Sequence, residues 1–334
     1  MNFSAAAPTV LIGLDWGTSS LRAFRFDAKG HVQEHRQSGH GITQLPVTGD
    51  AGFAQALALI AGDWLLTYSQ AAVVACGMVG SAQGWREAAY VQIPATAAQL
   101  GQGGSQVSLE GVAGYVAGAN PAMWAQRHLT ILPGLIERGP APILPNVMRG
   151  EETQIFGALH SEEAPHALTF LLPGTHSKWV QVRDGAVEHF DTFMTGEVFA
   201  ALSKHTILGR TMQPSAQFDA AAFERGLQVA FSDHGVNGVL STIFSTRTLG
   251  LEGQLLPQAQ ADYLSGLLIG HEVHAMRQRM EAATPCWLIG SEALCSRYVH
   301  ALQAAGFAQL RTLPQATEQG IWRMAIASNL LPQA

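Results

Sequence analysis

From Val10 to Leu14 the chain is apolar, it passes through Asp15 and the small, hydroxyl-rich stretch Gly17-Thr18-Ser19-Ser20, and from Leu21 to Phe26 it is largely apolar again. Two runs of strand length on either side of a short polar turn predict a hairpin. The plan recurs later. Ala167 to Leu172 is apolar, Pro173 to Ser177 is a turn, Lys178 to Val182 reads as a second strand, and Asp184-Gly185 leads into a third at Val187 to Met194. In the first copy, the turn Asp27 to Gly30 leads in the same way into a third strand at His31 to Ser38. Laying Gly17-Thr18 on Gly174-Thr175 is a shift of 157 positions, and that shift also carries Asp27 onto Asp184. Two coincident turns point to an internal duplication and constrain the chain to two halves, each opening on a three-stranded meander. The halves differ at one chemical position, where Asp15 falls on Leu172.

Glycine lets the backbone turn tightly and aim successive N–H groups at an anion. A carboxylate beside such a nest would repel a bare phosphate, but it fits where a divalent cation or its water lies between them. Asp15, Gly17, Thr18 and Ser19 therefore suggest a site for magnesium and a nucleotide phosphate, the plain alternative being a hairpin with a polar tip. Composition supports a folded, buried chain. Of 334 residues, 47% are apolar and 13% charged, against about 25% charged in an average globular protein. The net charge of -6 comes with no basic stripe, which argues against nucleic acid as a partner. No apolar run approaches the ~18 residues of a membrane span. The start, MNFSAAAPT, lacks the charged and apolar regions of a signal peptide and reads as a short tail. Three cysteines, Cys76, Cys286 and Cys295, without a C-x-x-C spacing fit small core residues in a reducing compartment, the cytoplasm.

Between the meanders, Phe53, Leu57, Ile60, Trp64 and Tyr68 recur at helical spacing over 50–68. Ala71 to Cys76 reads as a buried strand running into Gly77-Met78-Val79-Gly80-Ser81, Gly101 to Ser105 as a loop, His128 to Leu135 as a strand, and Arg149 to Leu159 as a helix. The second half adds helices near 196–208, 218–231 and 257–281, a strand at Cys286 to Ile289, and helices at Glu292 to Ala305 and about Glu318 to Leu330. The expected domains are 1–150 and 151–334, joined by a helix-based hinge near 149–166, with the C-terminal helix able to pack back at the hinge.

Other motifs are weaker. A P-loop is excluded, because none of the three lysines, Lys29, Lys178 and Lys204, follows a glycine. GQGGS at 101–105 has the wrong spacing for a dinucleotide fingerprint. His271 and His274 lie three apart on a helix with no third metal ligand in evidence. Lys178, at the exit of Gly174-Thr175-His176-Ser177, is placed to meet a phosphate, unless it is a solvated strand residue. Asn146, Arg149, Glu151 and Glu152 crowd a helix start, an arrangement that suits either the helix dipole or an anion clamp with a general base.

LDWGTSSLRAF resembles the first phosphate motif of the sugar kinase, heat-shock ATPase and actin superfamily, PGTHSKWV its second, and WLIGSEAL its adenosine motif. More narrowly, GMVGS, NVMRGEETQ, PGTHSKWVQ, MTGE and SGLLIG, in this order, are similar to the 2-dehydro-3-deoxygalactonokinase family, over about residues 10 to 330. The resemblance implies an α/β, two-lobed actin-like (ribonuclease H-like) fold, each lobe a five-stranded mixed sheet flanked by helices, with MgATP in the cleft. It implies phosphoryl transfer from ATP to the 6-hydroxyl of 2-dehydro-3-deoxy-D-galactonate in galactonate catabolism. Asp15 would orient magnesium through water. Gly17, Thr18 and Ser19 would face the transferred phosphate, with Gly174, Thr175, His176 and Lys178 opposite, and Gly290 and Ser291 would border adenosine. The base would be Glu151 or Glu152, since the spacing of GEETQIFGAL to its glycine leaves both open. Arg149 or Arg22 would meet the substrate carboxylate, with Asn146 nearby, and Gly77, Met78, Val79, Gly80 and Ser81 would border the sugar. The partners implied are ATP and a small sugar acid, with a homodimer left open. The competing readings are a kinase for another sugar or sugar acid, and a non-catalytic actin-like or chaperone-like ATP-binding protein.

Overall fold

The computed structural model describes residues 8–141, 144–159, 164–314 and 316–331. The start of the expected N-terminal tail and residues 160–163 of the expected hinge lie outside the described residues. The chain forms two compact units, one of residues 1–166, 182–189 and 315–334, the other of 167–181 and 190–314.

The first unit opens with β1 (Thr9–Trp16), β2 (Leu21–Asp27) and β3 (Val32–Ser38), followed by α1 (Asp50–Thr67) and β4 (Ala72–Cys76). Then come β5 (Val91–Gln92), α2 (Ala97–Gly101), β6 (Ser105–Ser108), α3 (Glu110–Ala113), α4 (Pro121–Trp124), β7 (His128–Ile131), β8 (Leu135–Glu137), β9 (Asn146–Met148) and α5 (Glu151–Ala158). Its main sheet runs β3-β2-β1-β4-β7-β6. β1 is antiparallel to β2 and parallel to β4, so it lies inside the sheet, and its sequence is correspondingly apolar on both faces. Phe53, Leu57, Ile60 and Trp64 of α1 are all buried in the core beside Ile12, Leu14 and Val73, as their spacing predicts.

The second unit is built on β10 (Ala167–Leu172), β11 (Ser177–Arg183) and β12 (Ala186–Phe193), the hairpin tip Val182–His189 grouping with the first unit. Helices α6 (Thr195–His205), α7 (Ala220–Phe231), α8 (Val239–Thr242), α9 (Ser245–Leu251) and α10 (Gln260–Arg277) follow, then β13 (Cys286–Ile289), α11 (Glu292–Ala304) and β14 (Leu310–Leu313). The sheet order is β12-β11-β10-β13-β14, with β10 parallel to β13 and β13 to β14. Strand for strand this repeats the order β3-β2-β1-β4-β7, so the duplication read from two turns extends through five strands. The last helix, α12 (Ala316–Ala327), belongs to the first unit.

Three elements depart from expectation. The stretch after Gly101, read as a loop, ends in β6, an antiparallel edge strand on β7 that makes this sheet six-stranded. The single strand expected over 128–135 is split into β7 and β8, and β8 joins β5 and β9 in a separate three-stranded sheet. The helix expected from Arg149 starts at Glu151, because Gly150, at φ +107°, cannot continue a right-handed helix. Close backbone contact fixes the direction of α5. A methyl on Gly157 would lie 2.3 Å from the Ala316 carbonyl oxygen, and one on Gly320 of α12 would lie 2.0 Å from that of Thr153. Facing glycines bring α7 and α10 together in the same manner at Gly226 and Gly266.

Candidate active site

In the first unit the site residues collect at the ends of β1 and β4. Asp15 lies opposite Arg22 across the β1–β2 hairpin and opposite Cys76 in the parallel β1–β4 register. Arg22 forms a two-pronged ion pair with Asp15, its Nε donating at 3.0 Å and its Nη2 bonding the same oxygen. The ion pair with Asp15, outweighing desolvation, holds the Arg22 guanidinium above its ordinary pKa. The turn is pinned from behind. Gly17 N–H donates to the Ser20 carbonyl, while Ile42 and Thr43 donate to the carbonyls of Gly17 and Thr18. A methyl on Gly41 would stand 2.3 Å from the Thr18 oxygen. Thr18 and Ser19 are left exposed at the tip.

Gly77, at φ +91°, begins the tight turn Met78–Gly80 at the end of β4. A side chain there would meet the Trp16 carbonyl at 2.8 Å, and a methyl on Gly150 would lie 3.3 Å from the Gly77 Cα. This contact brings the start of α5 to the strand ends. Its two glutamates then diverge. Glu152 is fully buried and both of its oxygens accept from Gly150 N–H, at 2.7 and 2.8 Å. Burial, with the charge of Glu151 adding, pushes its carboxyl up to about 7. Glu151 is half-buried and accepts from Arg149 N–H at 3.1 Å. Burial, then the charges of Asp15 and Glu152, raise the Cys76 thiol well above its usual range.

Arg149 is buried, stacks 4.3 Å from the centre of the Tyr90 ring, and donates through Nη2 to the Ala88 carbonyl at 2.8 Å. Its Nε and Nη1, and the neighbouring Ser81 hydroxyl, are buried with no protein partner. Nη1 lies where a methyl on Gly80 would come within 2.9 Å. Buried donors almost always find partners, so this corner is shaped for an acceptor the protein does not supply. Val79 is buried and Met78 half-buried in the same turn, whereas Asn146 spends its side-chain oxygen on Val147 N–H.

In the second unit, Gly174 and Thr175 form the second turn, with Thr175 and His176 exposed. This turn too is held from behind. A methyl on Gly196 would stand 2.4 Å from the Gly174 oxygen, Glu197 N–H donates to the Thr175 carbonyl at 3.0 Å, and His176 pairs with the Glu197 carboxylate. Lys178 is buried, with Nζ donating to Thr192 Oγ1 at 2.8 Å, so it is not a solvated strand residue. A methyl on Gly290, just after β13, would lie 3.5 Å from the Pro173 oxygen, and Ser291 precedes the first residue of α11 without a side-chain capping bond. The second turn and the Gly290-Ser291 loop therefore adjoin within one unit. A cavity of about 130 Å³ lies there, lined by Gly174, Gly196, Leu294, Arg297 and Tyr298 among others. His271 and His274 bond Thr242 and Gln278, and no cluster of three or more metal-ligating side chains occurs among the described residues.

The family model for 2-keto-3-deoxy-galactonokinase matches residues 15–324. The chain belongs to this family. It is 35% identical over 298 residues to the 2-dehydro-3-deoxygalactonokinase of Escherichia coli (strain K12), covering 88% of this chain and 90% of that one. A crystal structure of a Sinorhizobium meliloti protein assigned as a 2-dehydro-3-deoxygalactonokinase superposes with a TM-score of 0.79 at 30% identity, over 95% of this chain and 98% of that chain. The family match spans both turns, the α5 start and the Gly290-Ser291 loop. It also contains the two clamps, Gly41 to Thr43 and Thr195 to Glu197, that reading the residues one by one did not assign.

Proposed function

We propose that the protein transfers the γ-phosphoryl group of ATP to the 6-hydroxyl of 2-dehydro-3-deoxy-D-galactonate, giving the 6-phosphate and ADP. The observation that carries an acidic substrate is the Arg149 guanidinium, buried with two unpartnered nitrogens beside the unpartnered Ser81 hydroxyl. A substrate carboxylate would accept from Nη1, in a charge-assisted bond, and from the Ser81 hydroxyl beside it. Arg22, the other candidate, is engaged by Asp15, and serves to hold that carboxylate in place.

Magnesium is compatible with the residues present. Mg2+ is ordinarily held by one or two carboxylates, with waters and substrate phosphates completing its shell, and Asp15 supplies one half-exposed carboxylate at the tip of β1. When bound, the ion would neutralise charge on the transferring phosphoryl group. Glu151, half-exposed at the first position of α5, is the base that accepts the hydroxyl proton as the oxygen–phosphorus bond forms and ADP departs. Glu152, sealed in with both oxygens engaged, holds the helix start. Gly17, whose N–H is spent on the Ser20 carbonyl, shapes the turn, and the amides of Thr18 and Ser19 face the transferred group. Those of Gly174 and Thr175 hold the nucleotide phosphates above the buried charge of Lys178, and Gly290 and Ser291 border adenosine.

The test is ATP consumption across a panel of 2-keto-3-deoxy sugar acids, with wild type and Arg149→Lys. The reading expects preference for the galactonate epimer and, in the variant, a KM for the acid raised about tenfold or more with the KM for ATP unchanged. No epimer preference, or an unchanged acid KM, contradicts it. Glu151→Gln should cut turnover about a hundredfold, and Glu152→Gln much less.

A further inference from the structure

Glu272 sits in the middle of α10 and is 3% exposed. No cationic side chain pairs with it among the described residues. Instead three donors from three other elements converge on it. Trp179 Nε1 on β11 donates to Oε1 at 2.8 Å. Tyr298 OH on α11 donates to Oε2 at 2.8 Å, and Thr195 Oγ1, at the start of α6, bonds the same oxygen. Ser177, fully buried at the exit of the second turn, bonds the Tyr298 hydroxyl at 2.8 Å.

A buried carboxylate without a counter-ion is costly, and an apolar or amide side chain would fill the same space more cheaply. A carboxylate differs from both in offering only acceptors, enough for several donors at once. A glutamine would bring an NH2 group to one side and oblige Thr195 or Tyr298 to reverse. The elements so tied are those that shape the 130 Å³ cavity, which Thr195 and Tyr298 line together with Gly174, Gly196 and Leu294. The residues following Thr195, Gly196 and Glu197, are the ones that brace Gly174 and Thr175. A second cavity of about 290 Å³, lined by Thr195, Leu268 and Glu272 itself, lies alongside, so packing alone does not hold this corner.

We infer that Glu272 is a positioning residue for the nucleotide, fixing the second turn, the start of α6 and α11 in one register through its three hydrogen bonds. The inference rests on the proposed role of Gly174 and Thr175 in holding the nucleotide phosphates, and takes the smaller cavity, which Gly174 lines, as part of the nucleotide pocket. It is tested on the full-length enzyme with Glu272→Gln, Thr195→Val and Thr195→Ser, by steady-state kinetics, titration with MgADP and thermal melting. The expected result for Glu272→Gln is a KM for ATP and a Kd for MgADP raised about tenfold. The KM for the sugar acid should stay within about twofold and the melting temperature should not fall. Thr195→Val should reproduce the nucleotide effect and Thr195→Ser should restore wild-type affinity, which keeps the test open if Glu272→Gln does not fold. Unchanged nucleotide constants in Thr195→Val, or equal losses for both substrates together with a lowered melting temperature, overturn the role. Gly196→Ala tests the underlying reading separately. It pushes a methyl against the Gly174 carbonyl, and unchanged MgADP affinity there would mean that the cavity is not the nucleotide's.

Discussion

The turn after β1 and the turn after β10 share a backbone plan and are braced alike. Behind the first, Gly41 lies flat against Thr18 and Ser20; behind the second, Gly196 lies flat against Gly174 and Thr175. In both cases the brace follows the third strand of the meander. Their charged groups differ. Beside the first turn Asp15, partly exposed, is steadied by Arg22. The second has Leu172 at that point; Glu197 pairs with His176 at its surface, and Lys178 on Thr192 and Glu272 bonded by Thr195 lie buried below. On the function proposed above, the duplicated scaffold gives one turn with a carboxylate for a metal-bound phosphate and another that offers main-chain amides over a buried lysine.

The largest expected effect breaks this asymmetry at its acid. Asp15→Asn should lower kcat about a thousandfold while melting within a few degrees of wild type, as followed by coupled assay and calorimetry. Retention of a tenth of the activity would remove Asp15 from the chemistry. Next in size are the two braces. Gly41→Ala displaces the first turn and should reduce kcat roughly tenfold to a hundredfold, with KM for ATP little changed. Gly196→Ala should act mainly on KM for ATP, by about tenfold. If both variants move the same parameter, the two turns do not have separate tasks.

The smallest effect concerns stability. Glu152 has its carboxyl raised to about 7 by burial, so the folded protein keeps a proton that the unfolded chain releases above about 4.5. The contribution of this group to stability is therefore greatest below about pH 4.5 and falls as pH rises toward 7, by up to roughly 3 kcal/mol. Asp27 and Asp63, whose carboxyl pKa values are lowered, act in the opposite sense in acid. Glu152→Gln should flatten that part of the decline between pH 5 and pH 8, measured by denaturant melts. Glu272, also raised to about 7 by burial, should leave a residual slope. A variant whose slope equals that of wild type would mean that Glu152 does not titrate in this window.

The sequence discloses the parts of the fold that repeat or have strong periodicity. Both hairpins, α1 with its Phe53 to Trp64 face, and the strand entering Gly77 are visible because each buries a run of local apolar residues. The edge strand β6 and the small sheet of β5, β8 and β9 are not, because SQVS, VQ, LIE and NVM are too short to show a period and owe their pairing to distant partners. Within the site, Asp15, the glycines and Arg149 stand out by residue type. The Asp15–Arg22 pair was within reach of the hairpin register, which sets the two directly across from each other. The Glu272 hub was not, since its partners lie 77, 93 and 26 positions away.

The most direct measurement of the central claim is the affinity of Mn2+, in place of magnesium, for the enzyme–ADP complex by electron paramagnetic resonance, alongside ADP affinity without metal. The account predicts that Asp15→Asn weakens Mn2+ binding about tenfold or more and leaves metal-free ADP binding unchanged, while Gly196→Ala weakens ADP binding with or without metal. Equal Mn2+ affinity in Asp15→Asn and wild type would contradict it.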